Sequence, residues 1–480
     1  MTNNQIYFLI VGLFMLGLLF FGLYVSRKIK DPDDWVVANQ SLGIIPLSGT
    51  YFATIVSATS IVSYLGYYYL QGWPGIWNFA GTLITSFVAA IWVAKRMRGF
   101  GVTTVPEYIE RRFGKVHSLI GCFIILIGSI TLMSAQVKAS IIILQSMVNW
   151  SDIVCSIVTL LVFVTFTALG GMLAVAWTDT ICAYTIIIGV WAIAINYLGT
   201  LGGFGELMKG LHSIDKEFVS GFSKSITPLT ALGWSATWGI CNFGAPQFVG
   251  RFLSAKTPEI AAKSQAISAL MIGIFYVPLL IVGLGGMIIL PGIEHQDHVF
   301  TTLVTQTVNP VIGGLMFAAV ISAIISTADS LLLLASTTFT RDICRNFIKP
   351  NMTSKEELNL SRISTVVFGV LGVALTFVVG DVIQFIQARA VTLMGSAIAM
   401  LILIGAFDKK ITSTAALWSM IVGFVVANIW YQLGQPYGIF SALPGSISSG
   451  LVLVIVSKFT KPMDKEKLVD FFPEVMEDDV

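Results

Sequence analysis

Charge is what this chain most lacks. Only 11% of its 480 residues are Asp, Glu, Lys or Arg, against about 25% in an ordinary soluble domain. Such a chain cannot present the hydrated surface of a water-soluble protein. With 55% hydrophobic residues and a mean hydropathy of +0.84 it is an integral membrane protein. A net charge of +2 leaves no electrostatic footprint for a nucleic acid. The five cysteines (122, 155, 182, 241 and 344) show neither the spacing of a disulfide framework nor that of a zinc site. The four histidines lie near loops, with no histidine–carboxylate metal cluster among them. No nucleophile elbow and no phosphate-cradling loop can be found. The chain is therefore read as no enzyme, and no ATP-binding subunit is indicated as a partner.

Long apolar runs are what it has in place of charge. A hydrocarbon core about 30 Å thick takes roughly 20 helical residues to cross. Suitable runs recur near 5–26, 44–70, 74–95, 117–145, 152–170, 177–200, 231–252, 262–290, 311–339, 362–380, 381–406, 411–434 and 438–458. Thirteen crossings are thus expected in an all-α protein. Lys and Arg accumulate on the cytoplasmic side of membrane proteins. With the N-terminus outside and the C-terminus in the cytoplasm, 23 of the 28 fall in inner segments, among them Arg27, Lys28, Lys30, Arg96, Arg111, Arg112, Arg251 and Lys256. Only Lys209, Lys216 and Lys224 are left outside. Lys138 and Arg389 are the two cations expected inside the membrane. Short termini and loops suggest a bacterial inner-membrane location. Tyr67, Tyr68 and Tyr69 read as an interfacial aromatic belt.

Against that background the stretch 321–330, Ile-Ser-Ala-Ile-Ile-Ser-Thr-Ala-Asp-Ser, stands out. Ala323, Ser326, Thr327 and Ser330 recur at i, i+3, i+4 and i+7 and share one helical stripe. Ser322, Ser326, Asp329 and Ser330 form a second, overlapping one. A carboxylate in hydrocarbon costs at least about 2.5–3.5 kcal/mol, so Asp329 should face protein or a water-filled cavity. Hard oxygens around one negative charge suit a desolvated small cation. The alternative is that each hydroxyl bonds back to the carbonyl four residues earlier.

Two runs carry interruptions. Thr54, Ser57, Thr59, Ser60 and Ser63 crowd the middle of 44–70, and Gly239, Asn242, Gly244 and Pro246 break 231–252. Matched defects five spans apart are the mark of discontinuous helices flanking a midplane site between inverted repeats. The repeats are expected at 44–200 and 231–406, joined by an outer loop over 201–230. Residues 1–43 then hold an N-terminal extra helix and the first inner loop, 407–458 two C-terminal extra helices, and 459–480 a cytoplasmic tail.

Three stretches resemble the sodium/solute symporter family of proline, pantothenate, sialic acid and sodium/glucose transporters. They are Ala168-Leu-Gly-Gly-Met-Leu-Ala-Val-Ala-Trp-Thr-Asp179, Ser322 to Ser330, and Lys410 followed by Ala415-Ala-Leu-Trp-Ser-Met-Ile-Val-Gly423. The third departs from the family pattern, with Ala415 where a glycine is usual. The resemblance implies a leucine-transporter-type core of five plus five helices, one helix before it and two after, working by alternating access with Na⁺ as the coupling ion.

By the same resemblance, Ala53 and Val56 give backbone carbonyls to the main sodium site. Ala323 gives a further carbonyl there, and Ser326 and Thr327 their hydroxyls. Asp179, Ser326, Asp329 and Ser330 are candidates for a second cation site, where Na⁺, a proton or a structural contact are all open; Asp179 alone can also be read as a helix N-cap. Ser57, Ser60, Asn242, Phe243 and Gln387 are expected to face the solute. The two embedded cations, Lys138 and Arg389, are candidate partners for a solute carboxylate, although Arg389 is also placed to snorkel outward. The expected activity is Na⁺-coupled uptake of a small polar solute, an amino acid or carboxylate by preference. An H⁺-coupled carrier or a symporter of sugars or other solutes on the same fold is the alternative.

Overall fold

The computed structural model describes residues 2–26, 32–57, 59–380 and 382–474. Arg27, Lys28 and Lys30 of the first inner loop lie outside the described residues, as do Ala58, Asp381 and the last six positions; the side chains of Ala168, Leu169 and Gly170 in the first family stretch are likewise outside them. Among the described residues the regular structure is helical throughout, apart from one isolated bridge between Leu42 and Ala255.

We number the helices in chain order. The first third holds α1 (Asn3–Ser26), α2 (Pro32–Val37), the halves α3 (Ile44–Ile55) and α4 (Thr59–Gln71), α5 (Trp73–Gly99), α6 (Val105–Phe113) and α7 (Lys115–Met147). It is followed by α8 (Asp152–Thr167), α9 (Gly171–Leu201), the amphipathic α10 (Phe204–Ile214), α11 (Pro228–Ser235), α12 (Pro246–Leu253), α13 (Pro258–Ile289) and α14 (Val299–Thr307). The remainder is α15 (Pro310–Ile348), α16 (Ser354–Thr376), α17 (Ile383–Leu403), α18 (Ser413–Gln432) and α19 (Ala442–Phe459).

Ten of these helices are long and apolar enough to cross a membrane, and the bent pair α3–α4 makes an eleventh such span among the described residues. Two of the expected thirteen runs fall short of that test. Residues 152–201 form one helical run that Gly171, at φ 48° and ψ −173°, divides into α8 and α9, and the described part of α8, Asp152–Thr167, counts as a shorter apolar helix. The run 231–252 is broken into pieces: α11 widens into a π-turn over 236–240, tightens into a 3₁₀-turn over 241–244 and restarts as α12.

Burial sorts the helices into core and periphery. α15 and α17 are buried over 83% of their most apolar stretch, α1 over only 22% and α19 over 28%. The outer faces of the peripheral helices carry Leu13, Phe20, Ile363, Val367 and Leu451, all exposed, as lipid-facing side chains should be. Tyr67, Tyr68 and Tyr69 are a correction to the sequence reading. They are buried, not an interfacial belt. Tyr67 accepts a hydrogen bond from Trp234 Nε1, Tyr68 packs edge-on against Phe79, and Tyr69 donates to the Leu290 carbonyl.

Candidate functional site

The two breaks have different causes. Pro246 has no N–H to give, and it holds the preceding Ala245 extended at φ −98° and ψ 103°. At the first break Val56 leaves the helical region with ψ 83°. The Ser57 N–H, which in a continuous helix would reach the Ala53 carbonyl, turns to Ile55 instead. The Ser60 N–H, due to Val56, turns to Ser57. The carbonyls of Ala53 and Val56 thereby lose their ladder donors, and the bend between α3 and α4 is 54°.

Thr327 Oγ1 reaches the Ala53 carbonyl across the gap, at 3.5 Å. The stripe on α15 divides sharply in what its hydroxyls do. Ser322 and Ser330 bond back to the carbonyls four residues earlier, at 2.7 and 2.9 Å. Thr327 does not, and the buried Ser326 Oγ has no hydrogen-bond partner at all. Ala323 is fully buried one turn earlier.

The second group of acidic and hydroxyl residues is organised around a side chain that sequence reasoning placed elsewhere. Arg251 is not a loop cation but lies on α12 and is 4% exposed. Lys138 and Arg389 are therefore not the only embedded cations. The Arg251 Nε donates to Thr54 Oγ1 at 3.1 Å, Nη1 lies 2.6 Å from the Met172 sulfur, and Nη2 contacts the Ser330 hydroxyl. Nη2 also stands 3.9 Å from Asp179 Oδ2, an ion pair without a hydrogen bond. That same oxygen accepts from Thr50 Oγ1 at 2.5 Å. The close approach is made possible by Gly49, where any Cβ would run into Thr180 on α9. Asp179 Oδ1 has no partner, and Ser326 lies within reach of this carboxylate. Asp329 instead accepts from Thr167 Oγ1 at 2.7 Å and borders a small cavity against Leu19 and Gly22 of α1. Of the four expected second-site residues, Asp179 and Ser326 are thus brought together, while Ser330 is taken by Arg251 and Asp329 by Thr167. Arg251, Gly250, Gln247, Ser330 and Thr104 line a cavity of about 60 Å³ at this end of the site.

Toward the other end the breaks are lined by uncharged groups. Gln387 Nε2 approaches Ser57 Oγ at 3.5 Å, and Ser60 shares a hydrogen bond with the Tyr276 hydroxyl at 3.0 Å. Asn242 donates to the Trp238 carbonyl at 2.5 Å, and Phe243 is buried beside it. Gln387 Oε1, Asn242 Oδ1 and Trp238 Nε1 are buried without partners. Gly395 lets α17 lie directly on Cys241 at the second break, where a Cβ would collide. Above this region Ser63 donates to Asp297 Oδ1 at 2.7 Å, the Ile383 N–H reaches Asp297 Oδ2 at 3.2 Å, and Gln296 bridges the Ser63 carbonyl to Gln384. This buried knot ties α4, the turn before α14 and the start of α17 together, and the sequence reading missed it. Arg389 is not among the residues brought to the breaks. Its guanidinium lies 3.7 Å from the centroid of the Tyr431 ring, beside a separate cavity with Gln435 and Ser441. Lys138 sits half-buried on α7.

The two interrupted helices and the buried α15 lie in a fold of the leucine-transporter type. The family model of the sodium:solute symporter family matches residues 35–423, and the chain belongs to that family. It is similar to the sodium/proline symporter of Haemophilus influenzae, 25% identical over 96% of this chain and 95% of that protein. It is also similar to the high-affinity proline transporter of Bacillus subtilis, 24% identical over 92% and 96%. Among solved structures, a Na⁺-coupled sialic acid symporter in a substrate-bound outward-open state superposes with a TM-score of 0.84 at 18% identity, over 96% of this chain and 99% of that one. MhsT in complex with L-phenylalanine gives 0.57 at 14% identity, over 87% and 98%. The protein is accordingly a Na⁺-coupled symporter of a small organic solute, a multi-pass membrane transporter and not an enzyme.

Proposed function

We propose that the main sodium site is formed by the carbonyls of Ala53, Val56 and Ala323 and the hydroxyls of Ser326 and Thr327. The observation that carries this is the division of the α15 stripe. A hydroxyl in an apolar helix ordinarily settles on the i−4 carbonyl, as Ser322 and Ser330 do; Thr327 instead reaches the freed Ala53 carbonyl of the first break, and its neighbour Ser326 does not bond back either. Buried polar atoms left without partners cost free energy that a bound cation recovers. One Na⁺ moving inward across 100 mV contributes about 2.3 kcal/mol before its concentration gradient is counted.

The solute is bound between the breaks by Ser57, Ser60, Asn242, Phe243 and Gln387. Their spare hydrogen-bonding groups are all uncharged, and this favours a small zwitterion, with a monocarboxylate as the second choice. Since the curated relatives are named sodium/proline symporters, L-proline is the first solute to try. Arg389, stacked on Tyr431, supports no solute contact in this conformation. A second cation at Asp179 and Ser326 must share that carboxylate with Arg251. The chain crosses the membrane thirteen times, with α8 and the α11–α12 segment as the two crossings beyond the eleven apolar spans. The N-terminus is outside and the C-terminus in the cytoplasm, a reading supported by the 22 positive side chains that still fall in inner segments once Arg251 is counted as embedded. The repeats span 44–200 and 231–406. The Ser63–Asp297–Gln384 knot closes the outer side in this conformation, and the cavity beside Arg251 faces the cytoplasm.

A thermal-shift screen of the purified protein against proline, other small amino acids, monocarboxylates and sugars tests this reading. Binding couplings are reciprocal, so the true solute should raise Tm in Na⁺ and little or not at all in choline. Equal stabilisation in the two salts overturns the assignment, and a sugar as the best solute overturns the zwitterion choice.

A further inference from the structure

The segment after α19 reads as a short charged tail, which in isolation stays solvated. Its adjacent phenylalanines contradict that expectation. Phe471 and Phe472 are each 2% exposed, and Leu468 is buried next to them. Three arginines cage the pair. Arg96, near the cytoplasmic end of α5, donates to the Phe471 carbonyl at 2.9 Å and to the Ala406 carbonyl past α17 at 3.1 Å. Its guanidinium carbon lies 5.0 Å from the Phe472 ring centroid. Arg112 on α6 lies 5.3 Å from the same ring and donates to the carbonyls of Asp408 and Ile411. Arg111 pairs with Asp470 at 3.0 Å. The Phe471 ring packs edge-on against Phe100 and Tyr108, with centroids 4.9 and 5.8 Å apart. The tail thus packs on the ends of α5 and α6, whose arginines in turn hold the turn after α17.

α6 leads directly back to the transport site. Its N-cap, Thr104, donates to Asp342 Oδ1 at 2.8 Å, and Asp342 belongs to α15, the helix of Ser326 and Thr327. Thr103, Thr104 and Val105 form one wall of the cavity that contains Arg251.

We propose that residues 463–474 act as a cytoplasmic strap that holds this cavity in its narrow form and so controls opening of the inner gate. The inference rests on the alternating-access reading, in which one group of helices rocks against the rest. Rocking that separates α5, α6 or the turn after α17 must break this cluster, so the contacts of the tail bias the equilibrium toward the conformation in which they are held together.

The test uses Leu334→Cys, which lines the cavity, in a chain whose five native cysteines are buried. Labelling by an impermeant maleimide is followed from the cytoplasmic side in inside-out vesicles. Adding Phe471→Ala and Phe472→Ala should raise the labelling rate about three- to tenfold, the population shift expected from losing such ring contacts. A synthetic peptide of residues 463–474 should bring the rate back down. Should the double variant fail to fold, Arg96→Lys is used in its place: it keeps the charge but loses the fork that spans two carbonyls, and it should give a smaller rise in the same direction. An unchanged rate in a folded strap variant overturns the proposal. The parent Leu334→Cys protein is also labelled in Na⁺ and in choline. A parent rate that ignores the cation speaks against alternating access itself, whereas an intact Na⁺ response with no effect of strap variant or peptide speaks against the strap alone.

Discussion

Alanine at position 327 should raise the Na⁺ concentration for half-maximal uptake by about tenfold or more, while expression and thermal stability in choline stay nearly unchanged. The factor follows from the roughly 1.5–3 kcal/mol that a hydrogen-bond-strength contact to a charged group contributes. The structural cost is small, because Thr327 Oγ1 makes only one long contact, 3.5 Å to Ala53, and alanine is the better helix former. Ser326→Ala sharpens the case. Its hydroxyl is buried and unpartnered, so its removal should leave stability in choline equal or higher and lower it only in Na⁺. Thermal denaturation in the two salts reads both variants. Loss of stability in choline by Ser326→Ala shows that the hydroxyl has a structural partner after all, and unchanged Na⁺ dependence in both variants removes them from the site.

Arg251→Met should be the most damaging single change in the core. Breaking one side of a buried ion pair costs up to about 3–5 kcal/mol, because the other charge is left behind. Here Asp179 would keep only the hydroxyls of Thr50 and, within reach, Ser326. The loss should be greatest in choline and smaller in Na⁺, since a cation can then settle at the stranded carboxylate. Pairing Arg251→Met with Asp179→Asn removes both charges and should recover part of the lost stability, giving a coupling energy from the double-mutant cycle. Additive losses, or a defect that Na⁺ deepens, contradict the picture of Arg251 and a cation sharing Asp179.

Hydroxyls and a carboxylate in an apolar helix drew attention to α15, but the proposed sodium ligands Ala53, Val56, Ala323, Ser326 and Thr327 came from the family resemblance. Even so, spacing alone left back-bonding open; only the coordinates separate Ser326 and Thr327 from Ser322 and Ser330. Arg251 was misplaced for a reason that recurs in broken helices. It stands five residues after Pro246 and near Lys256, a position that reads as the start of a cytoplasmic loop, yet the restarted α12 carries it inward against Thr54 and Ser330. Asp297 and Gln296 were missed because a carboxylate in a loop is the ordinary solvated case; their burial comes from the turn folding onto α4 and α17. The aromatic run at 67–69 misled in the opposite sense, since tyrosines that line an interface and tyrosines that pack against Trp234 and Phe79 are identical in sequence. Phe471 and Phe472, in a tail too short to count as a domain, had no periodicity to reveal that they dock.

The fold itself was legible further than any one site. The paired interruptions needed only glycine, proline and clustered hydroxyls. Gly171, which divides one continuous helical run by a local backbone turn, gave no such signal.

The central claim, that Na⁺ drives solute entry through the cage between the first break and α15, is tested most directly by uptake of the radiolabelled solute into proteoliposomes under an inward Na⁺ gradient or an equimolar inward choline gradient, at equal pH on both sides. Accumulation above equilibrium in Na⁺, abolished in choline and collapsed by a sodium ionophore, is the expected result. Accumulation that persists in choline and follows an imposed proton gradient contradicts the account.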